Sequence, residues 1–195
     1  ALKPFDLNRD GFIAGEGACS MILEDYETAK ARGARIYCEV AGFGSSNDAY
    51  DMISLHETGR GLKRAVNAAI RRAGIEPAAI NYINPHGSAT PLNDRVETLV
   101  FKEVLGEAAY RTAISSVKPI TGHCMGASGS VEALACVMAI RDQKVAPTIN
   151  YTTPDPECDL DYVPNVARDM PVNIAMTTSV GLGGHNSALI FRKVD

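Results

Sequence analysis

"NIAMTTSVGLGGHNSALIFRK", residues 173 to 193, is the stretch on which the fold turns. Its two runs, 173–180 and 187–193, are apolar and β-rich in character and enclose the glycine-rich GLGGHN. That pattern predicts two neighbouring antiparallel strands joined by a tight turn. Upstream, strand and helix patterns alternate. RIYCEVAGFGSS (35–46) reads as a strand entering a polar loop over about 44–56, and INYIN (80–84) and TAIS (112–115) as short buried strands. ETGRGLKRAVNAAIRRAGIEP (57–77) places Leu62, Val66, Ala69, Ile70 and Ala73 at helical spacing, with Gly74 as a stop and Pro77 beyond it. NDRVETLVFKEVLG (93–106) is a second amphipathic helix. GASGSVEALACVMAIRDQ (126–143), apolar nearly all round, predicts a helix in the middle of a core. GFIAGEGACSMILEDYETAKARG (11–33) reads as a strand followed by a short helix. Alternating strands and helices closed by a hairpin define an α/β chain with a mixed sheet.

The 195 residues, 46% apolar and 22% charged, suffice for one substantial core. A net charge of −4, with the cations scattered among acids, gives no basic stripe for nucleic acid and no polybasic patch for membrane. Cys19, Cys38, Cys124, Cys136 and Cys158 lack CxxC spacing, so neither a disulfide framework nor a metal site is expected. Reduced thiols in a cytoplasmic compartment fit that usage. No run spans a bilayer, no signal pattern precedes the first strand, and the opening ALKPFD has no initiator Met, which points to a cleaved or excised piece of something longer.

Three predicted strand ends share one format, an apolar run entering a turn of glycines and hydroxyl residues. They are INPHGSAT with His86, SSVKPITGHCMGASG with Lys118 and His123, and TTSVGLGGHN with His185. Strand ends on one edge of an α/β sheet converge where ligands bind, so two histidines and a lysine can meet there. Taken singly, each has a plainer explanation. A histidine in a turn is more commonly a packing residue, and a glycine cluster can be only a hairpin. Lys118, if buried, needs a carboxylate, for which Glu132 on the apolar helix is the candidate. Cys19 and Cys124 are poor candidates for a nucleophile, one in a predicted strand and the other opening an apolar helix.

PFDLNRDGFIAGEGA, NPHGSATPLND, SSVKPITGHCMGASGSVEA, APTINY, CDLDYVPN and SVGLGGHNSALIF occur in this order along the whole chain. Together they resemble the second half of a β-ketoacyl-[acyl-carrier-protein] synthase of the long-chain type II branch. The resemblance implies the thiolase-like fold, here its C-terminal half, a mixed five-stranded sheet packed with helices. Residues 1–32 would end the N-terminal half and 33–195 form the C-terminal one. It implies an acyltransferase that joins an acyl thioester to malonyl-carrier protein by decarboxylative Claisen condensation, in fatty acid or polyketide biosynthesis, with a nucleophilic cysteine upstream of Ala1.

By the same resemblance, His86 and His123 match the histidines that hold the malonyl thioester, Lys118 the lysine that tunes them, and Glu132 its partner. Leu182, beside Gly183 and Gly184, matches a backbone oxyanion donor. Ser88 and Thr90 match hydroxyls on the pantetheine tunnel, and Asp94 and Glu97 structural acids. The implied partners are an acyl carrier protein that brings its own phosphopantetheine arm, the N-terminal half, and a second subunit in a homodimer or in a heterodimer with a chain-length factor. No separate cofactor is implied. This chain departs from the family at SVGLGG, where Val180 and Leu182 stand for two phenylalanines, and at Ile53 and Leu55 in DAYDMISLHE. Ile53 and Leu55 would alter the tunnel mouth, and the lost phenylalanines keep open a non-catalytic, chain-length-factor-like subunit. A coenzyme A-using thiolase fits less well, because GLGGHN has no second cysteine.

Overall fold

In the computed structural model, which describes residues 1–194, the elements in chain order are α1 (Tyr26–Ala31), β1 (Glu39–Asn47), α2 (Arg60–Ala73), β2 (Tyr82–Asn84) and α3 (Pro91–Leu105). They continue with β3 (Ala113–Ile114), α4 (Lys118–Thr121), α5 (Ser128–Asp142), β4 (Lys144–Val145), β5 (Arg168–Asp169), β6 (Ile174–Gly181) and β7 (His185–Arg192). Five strands form one sheet in the order β1-β7-β6-β2-β3. The closing hairpin and β1 pair antiparallel, whereas β6, β2 and β3 run parallel. The expected α/β architecture with a mixed five-stranded sheet is therefore the observed one.

Strand alternation divides the core between the two sheet faces. Ile83, Ile114, Met176 and Ile190 face α2 and α3, and pack with Leu62, Val66, Ile70, Val96, Val100 and Phe101. Tyr82, Ala113, Ala175 and Phe191 face α5 and pack with Ala133, Cys136, Ala139 and Ile140. Helix α2 lies directly on β1, because a Cβ at Gly44 would come within 1.9 Å of the Ala65 carbonyl oxygen and one at Gly42 within 2.4 Å of that of Ala69. Gly74 closes α2 in the left-handed conformation its position predicted.

Three expectations need correction. Residues 11–25 form no strand beyond a single bridge, Ala14 to His123. A strand exists only through its neighbours, and among the described residues no other strand lies alongside; Ile22 and Leu23 are left 93% and 75% exposed. The polar loop starts later than its composition suggests, since β1 continues to Asn47 and Asp48 is buried, taking the Asn186 side-chain amide and the His56 N–H. Cys124 does not open the apolar helix; it precedes a short 3-10 turn (Met125–Ala127), and α5 starts at Ser128.

Candidate active site

His86 leaves the end of β2 on a turn that its own side chain does not hold. Glu97, buried on α3, accepts the His86 and Gly87 N–H groups at 2.7 Å each, and also the Thr178 hydroxyl of β6 at 2.8 Å. Asp94, one turn earlier, accepts the Ala89 N–H at 3.2 Å and the Phe5 N–H at 2.8 Å. Gly87 sits at φ +44°, where an added Cβ would meet Ser116 at 2.6 Å. The turn is thus gripped from the first helical turns of α3 and closed by glycine. Burial pushes both carboxyls up, Asp94 to about 7.

Lys118 opens α4, with its side chain 1% exposed against 2% for Glu132 on α5. Its ammonium donates to Glu132, to the His86 carbonyl oxygen and, at 3.5 Å, to His86 Nδ1. Three N–H bonds thereby find three acceptors, the condition under which a buried cation is tolerated. Burial raises the Glu132 carboxyl against the pull of Lys118.

The imidazoles of His86 and His123 stand edge to face, with centroids 5.2 Å apart. His123 Nδ1 accepts the Met125 N–H at 3.1 Å and faces the Ser128 hydroxyl at 3.2 Å. A peptide N–H and an ammonium only donate, so Nδ1 of each ring must be the acceptor, and each neutral ring carries its proton on Nε2. Burial, with Lys118 nearby, holds His123 down at about 4. Burial first, then Lys118 and His123, holds His86 well below the ordinary histidine value. The site therefore presents two uncharged Nε2–H donors from rigidly held rings.

Ser88 and Thr90 face each other, hydroxyl to hydroxyl, at 3.0 Å. Leu182 is 71% exposed in the β6–β7 turn, where Gly183 and Gly184 have φ near +79° and +77°. The Gly183 N–H is already taken by the Met52 carbonyl oxygen at 2.7 Å. His185 is exposed at the start of β7, beside Gly183 and apart from the paired rings. The resemblance gives Asp94 and Glu97 a structural part, and their hydrogen bonds to the His86 turn are what the residue pattern could not reveal. No group of three or more His, Cys, Asp or Glu side chains suited to a metal occurs among the described residues. No helix among them is long and apolar enough to cross a membrane.

A mixed sheet in this strand order, with one histidine past the end of β2 paired to another that follows α4, is half of a thiolase-like fold. Residues 37–152 match the model of the β-ketoacyl synthase C-terminal domain, and the chain belongs to that family. It is 48% identical over 195 residues to 3-oxoacyl-[acyl-carrier-protein] synthase 2 of Staphylococcus aureus strain COL, covering all of this chain and 47% of that protein. The chain thus spans about half the length of the curated relatives it matches. Among solved structures, it superposes at TM-score 0.97 and 46% identity on a chain from the complex of a type II PKS acyl-carrier protein with its ketosynthase bound to the hexaketide, covering all of this chain and 48% of that one. With the ishigamide ketosynthase/chain length factor the values are 0.95 and 38%, over all of this chain and 47% of that one.

Proposed function

We propose that this chain is the C-terminal half of a 3-oxoacyl-[acyl-carrier-protein] synthase, an acyltransferase acting in fatty acid or type II polyketide biosynthesis. Residues 1–32 close the first half-fold and 33–195 make the second. The observation that carries the reading is the histidine pair, with both Nδ1 atoms occupied and both Nε2–H groups available as donors. An acyl group is held as a thioester on a cysteine upstream of Ala1. Malonyl-carrier protein then binds with its thioester carbonyl oxygen against the Nε2–H groups of His86 and His123. Loss of carbon dioxide leaves its electron pair as an enolate, whose developing charge the two donors stabilise. The enolate carbon adds to the acyl thioester carbonyl, whose π electrons move onto oxygen to give a tetrahedral oxyanion, and collapse of that oxyanion expels the cysteine thiolate and leaves the 3-oxoacyl product on the carrier protein. Lys118, paired with Glu132, keeps His86 neutral and oriented. The Leu182 N–H serves as one donor to that oxyanion, Gly183 and Gly184 at positive φ permitting the approach. Ser88 and Thr90 hydrogen-bond the pantetheine arm, which arrives on the carrier protein, so no separate cofactor is required. Asp94 and Glu97 hold the His86 turn. The working protein is a cytoplasmic dimer, with a second copy or with a chain-length factor.

Condensation by the full-length chain tests this reading: acyl- and malonyl-carrier protein should yield a 3-oxoacyl product, and prior alkylation of the upstream cysteine should abolish it. A chain that takes no acyl group and has no alkylatable cysteine there overturns it. The second reading, a chain-length-factor-like subunit, draws support from Val180 and Leu182 in the glycine-rich loop. Under it, product would form only when a separate ketosynthase subunit is added.

A further inference from the structure

The segment RDGFIAG, residues 9–15, runs between the two histidine turns and is bonded to both. The Gly11 N–H donates to the Ala89 carbonyl oxygen at 2.9 Å, within the His86 turn. Two residues on, the Ile13 carbonyl oxygen accepts the His123 N–H at 2.8 Å, and the Gly15 N–H donates to the His123 carbonyl oxygen at 3.0 Å. The Phe12 ring lies against the His123 imidazole, with centroids 4.8 Å apart.

At its far end the segment touches the His123 turn backbone to backbone. A Cβ at Gly15 would come within 2.4 Å of the Thr121 carbonyl oxygen, and one at Gly122 within 2.7 Å of Gly15 Cα. At its near end Arg9 is 8% exposed. Its guanidinium donates to Asp155, to the Asp6 carbonyl oxygen at 2.9 Å and to the Pro91 carbonyl oxygen at 3.0 Å, and its Nε stands 3.9 Å from Asp94. Pro91 is the first residue of α3, the helix whose Glu97 and Asp94 grip the His86 turn.

We propose that residues 9–15 are a strap that sets the spacing and tilt of the two imidazoles, with Arg9 as the positioning residue that anchors it and Gly15 as the contact that seats it. Neither residue touches the reacting atoms. Their effect passes through the His123 backbone and the Phe12 ring. The catalytic consequence rests on the function proposed above, whereas the geometric one does not. Displacing a donor by an ångström from where charge develops removes transition-state stabilisation and leaves ground-state binding largely intact.

The test uses the full-length chain with Arg9→Met, Arg9→Lys and Gly15→Ala, each compared at a temperature where it is folded. Two readouts are taken: decarboxylation of malonyl-carrier protein, and the pH titration of His123 followed by NMR on labelled histidine. Arg9→Met and Gly15→Ala should lower kcat about tenfold or more with KM within about twofold. Both should also move the His123 midpoint up toward the ordinary histidine value as the ring loses cover. Arg9→Lys should recover part of both effects. A folded variant with unchanged kcat and unchanged His123 titration overturns the strap, as does a loss that merely tracks the unfolded fraction. If the parent chain does not decarboxylate malonyl thioesters, the function falls and the His123 titration still decides the strap.

Discussion

His123 keeps its proton on Nε2 because a peptide N–H already occupies Nδ1, and it stays uncharged because burial and Lys118 disfavour the cation. Its native value near 4 lies below the ordinary 6.5. The stability gained by keeping this ring neutral is full above 6.5 and is lost as pH falls toward 4, where the unfolded chain binds the proton first. Histidine NMR should find its midpoint near 4, and a midpoint at the ordinary value would contradict the burial described. The Lys118–Glu132 pair makes a second prediction at this scale. Removing one member, as in Lys118→Met, should cost about 3–5 kcal/mol in denaturant unfolding, because the other is left buried and unpaired. The double variant Lys118→Met/Glu132→Leu should recover much of that loss, and an equal loss in both would contradict it.

Among the elements, α2 resting on β1 is the tightest contact, made possible by Gly42 and Gly44. Gly44→Ala should destabilise by about 1–3 kcal/mol as strand and helix are forced apart. Gly126→Ala, with nothing within 4 Å of the added methyl, should fall within about 0.5 kcal/mol of the parent. Equal effects in thermal unfolding would show that the contact is looser than described. This scale also separates what sequence could reveal from what it could not. Helices α2 and α3 and the β6–β7 hairpin were legible because each carries its own periodicity and its own stop signal. The apolar run 11–23 carried a strand pattern but found no strand to pair with, and local pattern is silent about neighbours. His86, Lys118 and His123 stood out as polar residues in turns after predicted strands, although Lys118 in fact opens α4 and His123 follows that helix. That Glu97 grips the His86 turn was hidden, because a carboxylate's tertiary partners leave no trace in spacing beyond its place on a helix.

For the molecule as a whole, the open side is as informative as the core. Ile22 and Leu23 are largely exposed, Leu134 on α5 is 41% exposed, and Val137 and Met138 on the same helix are only half-buried. Exposed apolar surface on this scale marks a face that another layer covers. Residues 1–195 expressed alone should therefore self-associate and bind a hydrophobic dye. Light scattering that shows a monomer without dye binding would contradict that prediction. In the full-length chain, with this face covered, dye binding should disappear and association should stop at a defined dimer.

The role proposed for His86 and His123 is that of neutral donors to the charge that develops on a malonyl thioester. Its most direct test is the rate at which the full-length chain decarboxylates malonyl-carrier protein, compared with its folded His86→Ala and His123→Ala variants. Each variant should lose about 10²–10³-fold in kcat. A folded variant that decarboxylates at the parent rate would contradict the claim.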